Sequence, residues 1–264
     1  MLSAGFDFDG QRVLITGASS GIGAALAEEL ARRGAVVGLC ARREDRLKTT
    51  LERCLAHSPH SRMWVCDLAD PAAVENLVGT VAGDLGGVDI LVNNAGIPKR
   101  RHVTRLDPAT VEQVMNINYF SPVRLTLGLL PSMIEQKHGL VVNVSSVAAT
   151  LSSPGETAYD ASKAALSVFS EAMAIDLWDT GVKVLIVYPG VVDTELFSLP
   201  DNDPLIPGID PIPVSEAVAA IVGAIERDER QVYTPEYFSD IVATKNSDLA
   251  GFIAGAAEYV RQSR

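Results

Sequence analysis

Apolar residues fall along the chain in two alternating rhythms. Short, almost unbroken apolar runs occupy residues 12–16, 36–40, 63–66, 88–92, 140–144 and 182–187, and they read as strands. Longer stretches lie between and beyond them, at 21–33, 44–56, 71–85, 108–135, 157–180 and 214–227, and these have a helical pattern. A strand that is apolar at consecutive positions is buried on both faces, so the sheet needs a layer of helices on each side. The pattern predicts a repeating βα unit and a doubly wound parallel sheet inside a three-layer α/β/α sandwich. In such a sheet, ligands bind at the carboxyl ends of the strands, where the strand order reverses. Functional residues are therefore expected just after the strands.

No composition shift or internal repeat divides the 264 residues, so residues 1–264 are expected to form one domain. The unusual segment is 198–214, dense in proline, aspartate and glycine. Residues 195–213 read as a substrate-loop insertion. Leu196, Phe197, Leu199, Leu205, Ile206, Ile209 and Ile212 make it apolar, while Pro200, Pro204, Pro207, Gly208 and Pro211 prevent one regular helix. It is either a mobile lid over a mainly apolar substrate or a surface connector packed permanently on the sheet.

With 47% apolar and 21% charged residues, the chain can build a sizeable core. A net charge of −11 repels phosphate backbones and anionic membrane surfaces, which argues against nucleic acid or such a membrane as the main partner. No apolar run approaches the ~20 residues of a membrane span, and the first ten residues lack the basic and apolar regions of a secretion signal. A cytoplasmic location is expected. Cys40, Cys54 and Cys66 are odd in number and lack paired short spacing, so they are expected to be reduced, buried thiols. His57 and His60 sit in an expected loop and read as solvated, so no metal is assigned.

Chemistry enters after the first strand, where the chain reads Thr16-Gly17-Ala18-Ser19-Ser20-Gly21-Ile22-Gly23 and then turns helical. Glycines at a strand-to-helix turn let a pyrophosphate approach backbone N–H groups, where the helix dipole also favours negative charge. The spacing departs from the usual dinucleotide fingerprint of a Rossmann-type fold, and a plain glycine-rich turn is the bland alternative. At the end of the second strand, a NAD site would place a carboxylate on the ribose 2′-hydroxyl, yet the chain reads Ala41-Arg42-Arg43. Arg42 suits a 2′-phosphate, with Arg43 or a loop serine assisting, so NADP(H) is favoured over NAD(H). Alternatively, Arg42, Arg43, Glu44 and Asp45 form only the solvated start of a helix.

Further on, the fifth strand ends in Asn143-Val144-Ser145-Ser146, and Tyr159 and Lys163 follow on one helical face. Asn93-Asn94-Ala95-Gly96 follows the fourth strand, and Pro189-Gly190-Val191-Val192-Asp193-Thr194 follows the sixth. In this order and at these spacings, the segments resemble the short-chain dehydrogenase/reductase family over about residues 10–235.

The resemblance implies an oxidoreductase that interconverts a carbonyl and an alcohol. Tyr159 would be the acid/base, Ser146 the hydroxyl that orients the carbonyl, Lys163 the cation that binds the ribose and eases ionisation of the phenol, and Asn118 the fourth member. Asn116 competes with Asn118, which the 28-residue spacing to Ser146 favours, and either asparagine can instead be a satisfied polar group in a helix. Asn118 would hold a water linking Lys163 to solvent. Gly17, Ser19, Ser20, Gly21, Ile22 and Gly23 would cradle the phosphates, and Asp67 with Leu68 would meet the adenine. Asn94, Ala95 and Gly96 would support the cofactor, and Pro189, Gly190, Val192 and Thr194 would lie along its nicotinamide end. Asp67 and Thr194 can also be read as helix caps.

The resemblance further implies a homodimer or homotetramer joined through the helices at 108–135 and 157–180, unless their second apolar face packs within the subunit. Two other functions remain open. One is an NADP(H)-binding regulatory or sensor protein without turnover, and the other is an epimerase or dehydratase on the same scaffold. The expected substrate is a small, largely apolar carbonyl compound or secondary alcohol.

Overall fold

The computed structural model describes residues 6–204 and 210–262. The first apolar run forms β1 (Arg12–Thr16), and the others become β2 (Val36–Ala41), β3 (Arg62–Val65), β4 (Ile90–Asn93), β5 (Gly139–Val144) and β6 (Val182–Pro189). A further strand, β7 (Gln231–Thr234), completes a parallel seven-stranded sheet of order β3-β2-β1-β4-β5-β6-β7. β1 pairs with β2 and with β4, placing Val13 opposite Val37 on one side and Ile90 on the other.

The strand period of two sorts the core into two layers. Val13, Ile15, Val37, Leu39 and Val142 pack with Leu26 and Leu30 of α1 (Gly21–Arg32). Ile221 and Ile225 of a later helix, Val214–Glu226, join that layer. Leu14, Cys40, Leu91, Val141 and Val184 face the opposite layer with Val74, Leu77 and Leu125. Besides that later helix, the first side carries α1 and α2 (Glu44–Leu55), which pack on β2. The other side carries α3 (Pro71–Leu85), which begins where Asp70 accepts a 2.9 Å hydrogen bond from Ala72 N and ends at Gly86, φ +70°.

The expected helix over 108–135 is divided. It consists of α4 (Pro108–Met115), a π-helical turn at Asn116–Phe120 and α5 (Ser121–Gln136). One inserted residue hardly disturbs an apolar rhythm, which is why the interruption is silent in sequence. α6 (Thr157–Asp176) stops four residues before the expected end at 180, and the chain passes through turns to Gly181, which lies at φ +82° with no room for a Cβ beside Lys137 O.

α7 (Val214–Glu226) leads to β7, which has only four residues at the sheet edge and is mostly unburied, so it lacks the continuous apolar run that marked the others. α8 (Phe238–Ser247) and α9 (Leu249–Gln262) then return to the carboxyl ends of the strands. α9 has no fully buried residue, so no core-facing stripe signals its place. Cys40, Cys54 and Cys66 are free and buried. No described helix is long and apolar enough to cross a membrane.

The segment at 195–213 starts with a short 3₁₀ turn at Glu195–Phe197, and a bridge between Val192 and Ile212 closes its base. Leu205, Ile206, Pro207, Gly208 and Ile209, read as part of its apolar lid, lie outside the described residues.

Candidate active site

β1 and β4 are neighbours in the sheet, but the chains leaving them part to opposite sides, and a cleft opens between them. The two loops are tied together at its floor. Thr16 Oγ1 accepts from Asn94 N at 3.0 Å and Ala95 N at 3.1 Å, and Asn94 Nδ2 donates to Thr16 O at 2.9 Å. This closeness requires the glycines. A Cβ on Gly17, which sits at φ +69°, would lie 2.8 Å from Asn94 Nδ2, and one on Gly23 would lie 2.6 Å from Gly17 O. Ser20 precedes α1 without a side-chain cap, so the first N–H groups of the helix remain available to an anion. The cradle therefore fits a dinucleotide pyrophosphate.

At the end of β2, Arg42 is 59% exposed and makes only a loose 4.0 Å approach to Asp67 Oδ1. Arg43 is occupied, donating to Ser19 Oγ at 3.1 Å and Ser20 Oγ at 2.8 Å and pairing with Glu195. Glu195 also accepts from Ser20 Oγ at 2.7 Å and pairs with Arg46. The hydrogen bond from Arg43, with those from Ser20 and Arg46, lowers the Glu195 carboxyl to about 2. One carboxylate thus clasps the loop after β6 to the glycine turn and to the start of α2. Asp67 accepts from Ala69 N at 3.0 Å, while the cap of α3 is Asp70. Thr194 makes no side-chain cap either, and its methyl group would meet a Cβ on Gly21 at 3.0 Å.

Ser146 lies two residues beyond the end of β5, at the start of a 3₁₀ turn, and Tyr159 lies in the first turn of α6. Ser146 Oγ accepts from Ala148 N at 3.1 Å, which fixes its rotamer, and the polar serine near the phenol favours the ionised form. Burial acts first and in the opposite direction, with Glu156 adding to it, so the Tyr159 phenol is held well above its ordinary range. One turn later, Lys163 Nζ donates to Val144 O at 2.8 Å and lies 5.8 Å from the tyrosine ring centre. Burial lowers this ammonium to about 8.

Asn118 sits in the π-helical turn, fully buried. Its Nδ2 donates to Ile97 O and Ser162 Oγ, each at 3.0 Å, and its Oδ1 accepts from Ile97 N at 2.9 Å. A Cβ on Gly96 would lie 3.3 Å from Asn118 Oδ1 and 3.5 Å from Lys163 Nζ, so asparagine and lysine meet behind that glycine.

A cavity of about 890 Å³ joins these parts, and every residue expected in the site lines it except Gly23 and Asn118, which lie behind its wall. Its other end is built from residues that no motif marks. They include Ile97, Arg100, Leu151, Glu156 and Phe238, Phe252 and Tyr259 from the C-terminal helices, and Leu196, Phe197 and Leu199 from the loop after β6. The described part of that loop is fastened. Arg100 Nη2 donates to Phe197 O at 2.8 Å and Arg100 Nε to Asp203 O at 2.9 Å, while Asp201 pairs with Lys99 and Arg101.

The family model described as short chain dehydrogenase matches residues 11–203. The chain belongs to the short-chain dehydrogenase/reductase family. It is an oxidoreductase of that family, and its fold is the family's Rossmann-like sheet. It is 42% identical over 201 residues to a short chain dehydrogenase of Pseudocercospora fijiensis, a match covering 73% of this chain and 63% of that protein. The chain thus matches less than two thirds of that relative's length. A fatty acyl-CoA reductase of Acinetobacter baylyi is 34% identical over 227 residues, 85% of this chain and 76% of the relative. A short-chain dehydrogenase from Sphingobium yanoikuyae, solved in complex with NADPH, superposes with a TM-score of 0.82 at 28% identity, covering 92% of this chain and 95% of that one.

The Glu195 clasp gives this short-chain dehydrogenase/reductase a specific acid response. Because the folded carboxyl lies near 2 and its ordinary value is 4.5, its contribution is complete above pH 4.5 and disappears as pH falls toward 2. Arg43 and Arg46 are 40% and 49% exposed, so solvent screening reduces that contribution to about 1–2 kcal/mol. Glu195→Gln is expected to lose that amount in urea denaturation at pH 7, and the gap between variant and wild type should shrink between pH 4.5 and 2. An equal gap at pH 7 and pH 3 counts against the clasp.

Proposed function

We propose that this chain is an NADP(H)-dependent oxidoreductase that interconverts a carbonyl and a secondary alcohol on a small, largely apolar molecule. The observation that carries the reading is the convergence of Ser146, Tyr159 and Lys163 on one cavity, beside a glycine cradle that has no room for any Cβ. A nicotinamide, when bound, supplies or takes up the hydride. Tyr159 holds the proton at its phenol oxygen and passes it to the substrate oxygen, and Ser146 donates a hydrogen bond to the same oxygen as negative charge develops there. Burial and Glu156 keep the phenol protonated at neutral pH, which is the form that carbonyl reduction consumes. Lys163 presents an ammonium to the ribose, and Asn118 holds the Ile97 backbone against the lysine.

Arg42 supports NADP(H) over NAD(H). It lines the cavity at the end of β2, stays mostly solvated, and has no carboxylate among the described residues closer than 4.0 Å, leaving its guanidinium available to a 2′-phosphate. The NADPH bound to the Sphingobium enzyme agrees with this. Substrate apolarity is supported by Leu151, Leu196, Phe197, Leu199 and Phe252 at the other end of the cavity, and one relative is a fatty acyl-CoA reductase. Three free, buried cysteines suit a reducing, cytoplasmic compartment.

We further propose a dimer or larger homo-oligomer through α5 and α6. Each sends one apolar stripe inward, yet Leu127 and Ile134 on α5, and Val168 and Ile175 on α6, repeat seven residues apart on the outer side and remain exposed. Trp178, just beyond α6, is 77% exposed beside them.

Tyr159→Phe is expected to keep cofactor affinity within about threefold while carbonyl-dependent NADPH oxidation falls by about 10³-fold or more, since the variant keeps the ring and loses the proton. Turnover near the wild-type rate means another group transfers the proton. Competitive titration of NADP(H) and NAD(H) should show a preference for the phosphorylated form that Arg42→Asp narrows at least tenfold or reverses; a wild type that prefers NAD(H) rejects the assignment. Sedimentation at micromolar concentration should find a dimer or larger assembly, dissociated by Ile175→Glu combined with Trp178→Glu, and a monomeric wild type rules that interface out.

A further inference from the structure

Opposite the cofactor cradle, Arg100 reaches the cavity on the loop after β4, with only 3% of its surface exposed. Two of its nitrogens are committed, Nε to Asp203 O and Nη2 to Phe197 O. Nη1 has no hydrogen-bond partner among the described residues. Its near neighbour is Glu156 Oε1 at 3.9 Å, beyond hydrogen-bond range, on a side chain that is 12% exposed and also lines the cavity. Glu156 stands one helical turn before Tyr159. A guanidinium nitrogen and a carboxylate oxygen on two residues that line the cavity thus lie about 1 Å too far apart to satisfy each other directly.

A buried guanidinium N–H without an acceptor is costly, and a site holding one is complete only when an oxygen arrives. The neighbouring carboxylate decides which kind. A carboxylate or phosphate on the ligand would meet Arg100 but stand against Glu156, and the cationic charge of Arg100 is already balanced by that glutamate. A hydroxyl meets both requirements, accepting from Nη1 and donating to Oε1. The surrounding wall of Leu151, Phe197 and Leu199 suits hydrocarbon on either side of it.

We propose that Arg100 and Glu156 form a second polar subsite that selects apolar ketones, or the matching secondary alcohols, bearing one further uncharged hydroxyl group away from the reacting carbon. The inference rests on the carbonyl–alcohol reading above and names its substrate class. It makes Arg100 and Glu156 specificity-determining residues, in addition to the electrostatic influence that both exert on the Tyr159 phenol.

The test uses the full chain with NADPH and three matched sets of long-chain ketones: unsubstituted, carrying a hydroxyl stepped along the chain, and carrying a carboxylate at the same positions. One hydroxyl position is expected to raise kcat/KM about 10- to 100-fold over the unsubstituted ketone, mainly through KM. Arg100→Met should bring that ratio close to one. Because Arg100 also fastens the loop at Phe197 and Asp203, Glu156→Gln provides a second variant that leaves those bonds in place. It uncovers the guanidinium charge and should raise the use of the carboxylated ketone relative to the hydroxylated one by about tenfold.

Equal use of plain and hydroxylated ketones at every position overturns the subsite, as does a wild-type preference for the carboxylate series. Absence of turnover with every ketone overturns the reductase reading and the subsite together, whereas turnover without preference overturns the subsite alone.

Discussion

The site depends on the close approach of two loops that leave adjacent strands. β1 and β4 lie side by side, and Thr16 and Asn94 lock their carboxyl ends with three hydrogen bonds of 2.9–3.1 Å. That lock sets the depth of the cleft and brings Ala95 and Gly96 in front of Lys163 and Asn118. It also explains why Gly17 and Gly23 carry no side chain, since a single carbon at either position would strike Asn94. The glycine cradle and the placement of Gly96 against Lys163 and Asn118 thus share one piece of backbone packing.

Around this frame, the electrostatics oppose one another in a useful way. Burial makes the phenolate of Tyr159 and the ammonium of Lys163 both harder to form, pushing the tyrosine up and the lysine down to about 8. Lys163 is turned toward the Val144 carbonyl, with its ammonium 5.8 Å from the centre of the tyrosine ring. Glu156 drives the tyrosine further toward the protonated form, while Arg100 counters that charge. The far end of the cavity thereby influences the reacting end without touching it.

What could be read in advance follows from locality. Glycines at a strand-to-helix turn, a serine just after a strand, and a tyrosine and lysine one turn apart each form a pattern within a few residues of chain, and the structure brings them to one cavity. The three-layer sheet was legible for a similar reason, because strands buried on both faces are apolar throughout. The less visible features are those in which distant residues meet. Arg100 lies in a basic run and gives no sign that it will be buried against residues about 100 positions away, and Glu195 becomes a clasp only because the loops leaving β2 and β6 meet. The π-helical turn that aims Asn118 inward preserves the apolar rhythm on either side of it, and so leaves no mark.

The C-terminal helix α9 forms part of the cavity wall through Phe252, Ala256 and Tyr259, although none of its residues is fully buried. The sheet and its two packed layers are complete without it. Substitutions in this helix can alter the shape and polarity that a ligand meets while costing little thermodynamic stability, because few buried contacts are lost. The cradle has no such freedom, since its glycines are held by the backbone itself. The molecule therefore divides into a part that tolerates almost no sequence drift and a part where drift is inexpensive, and that division is a route by which one scaffold acquires new ligands without first having to be stabilised.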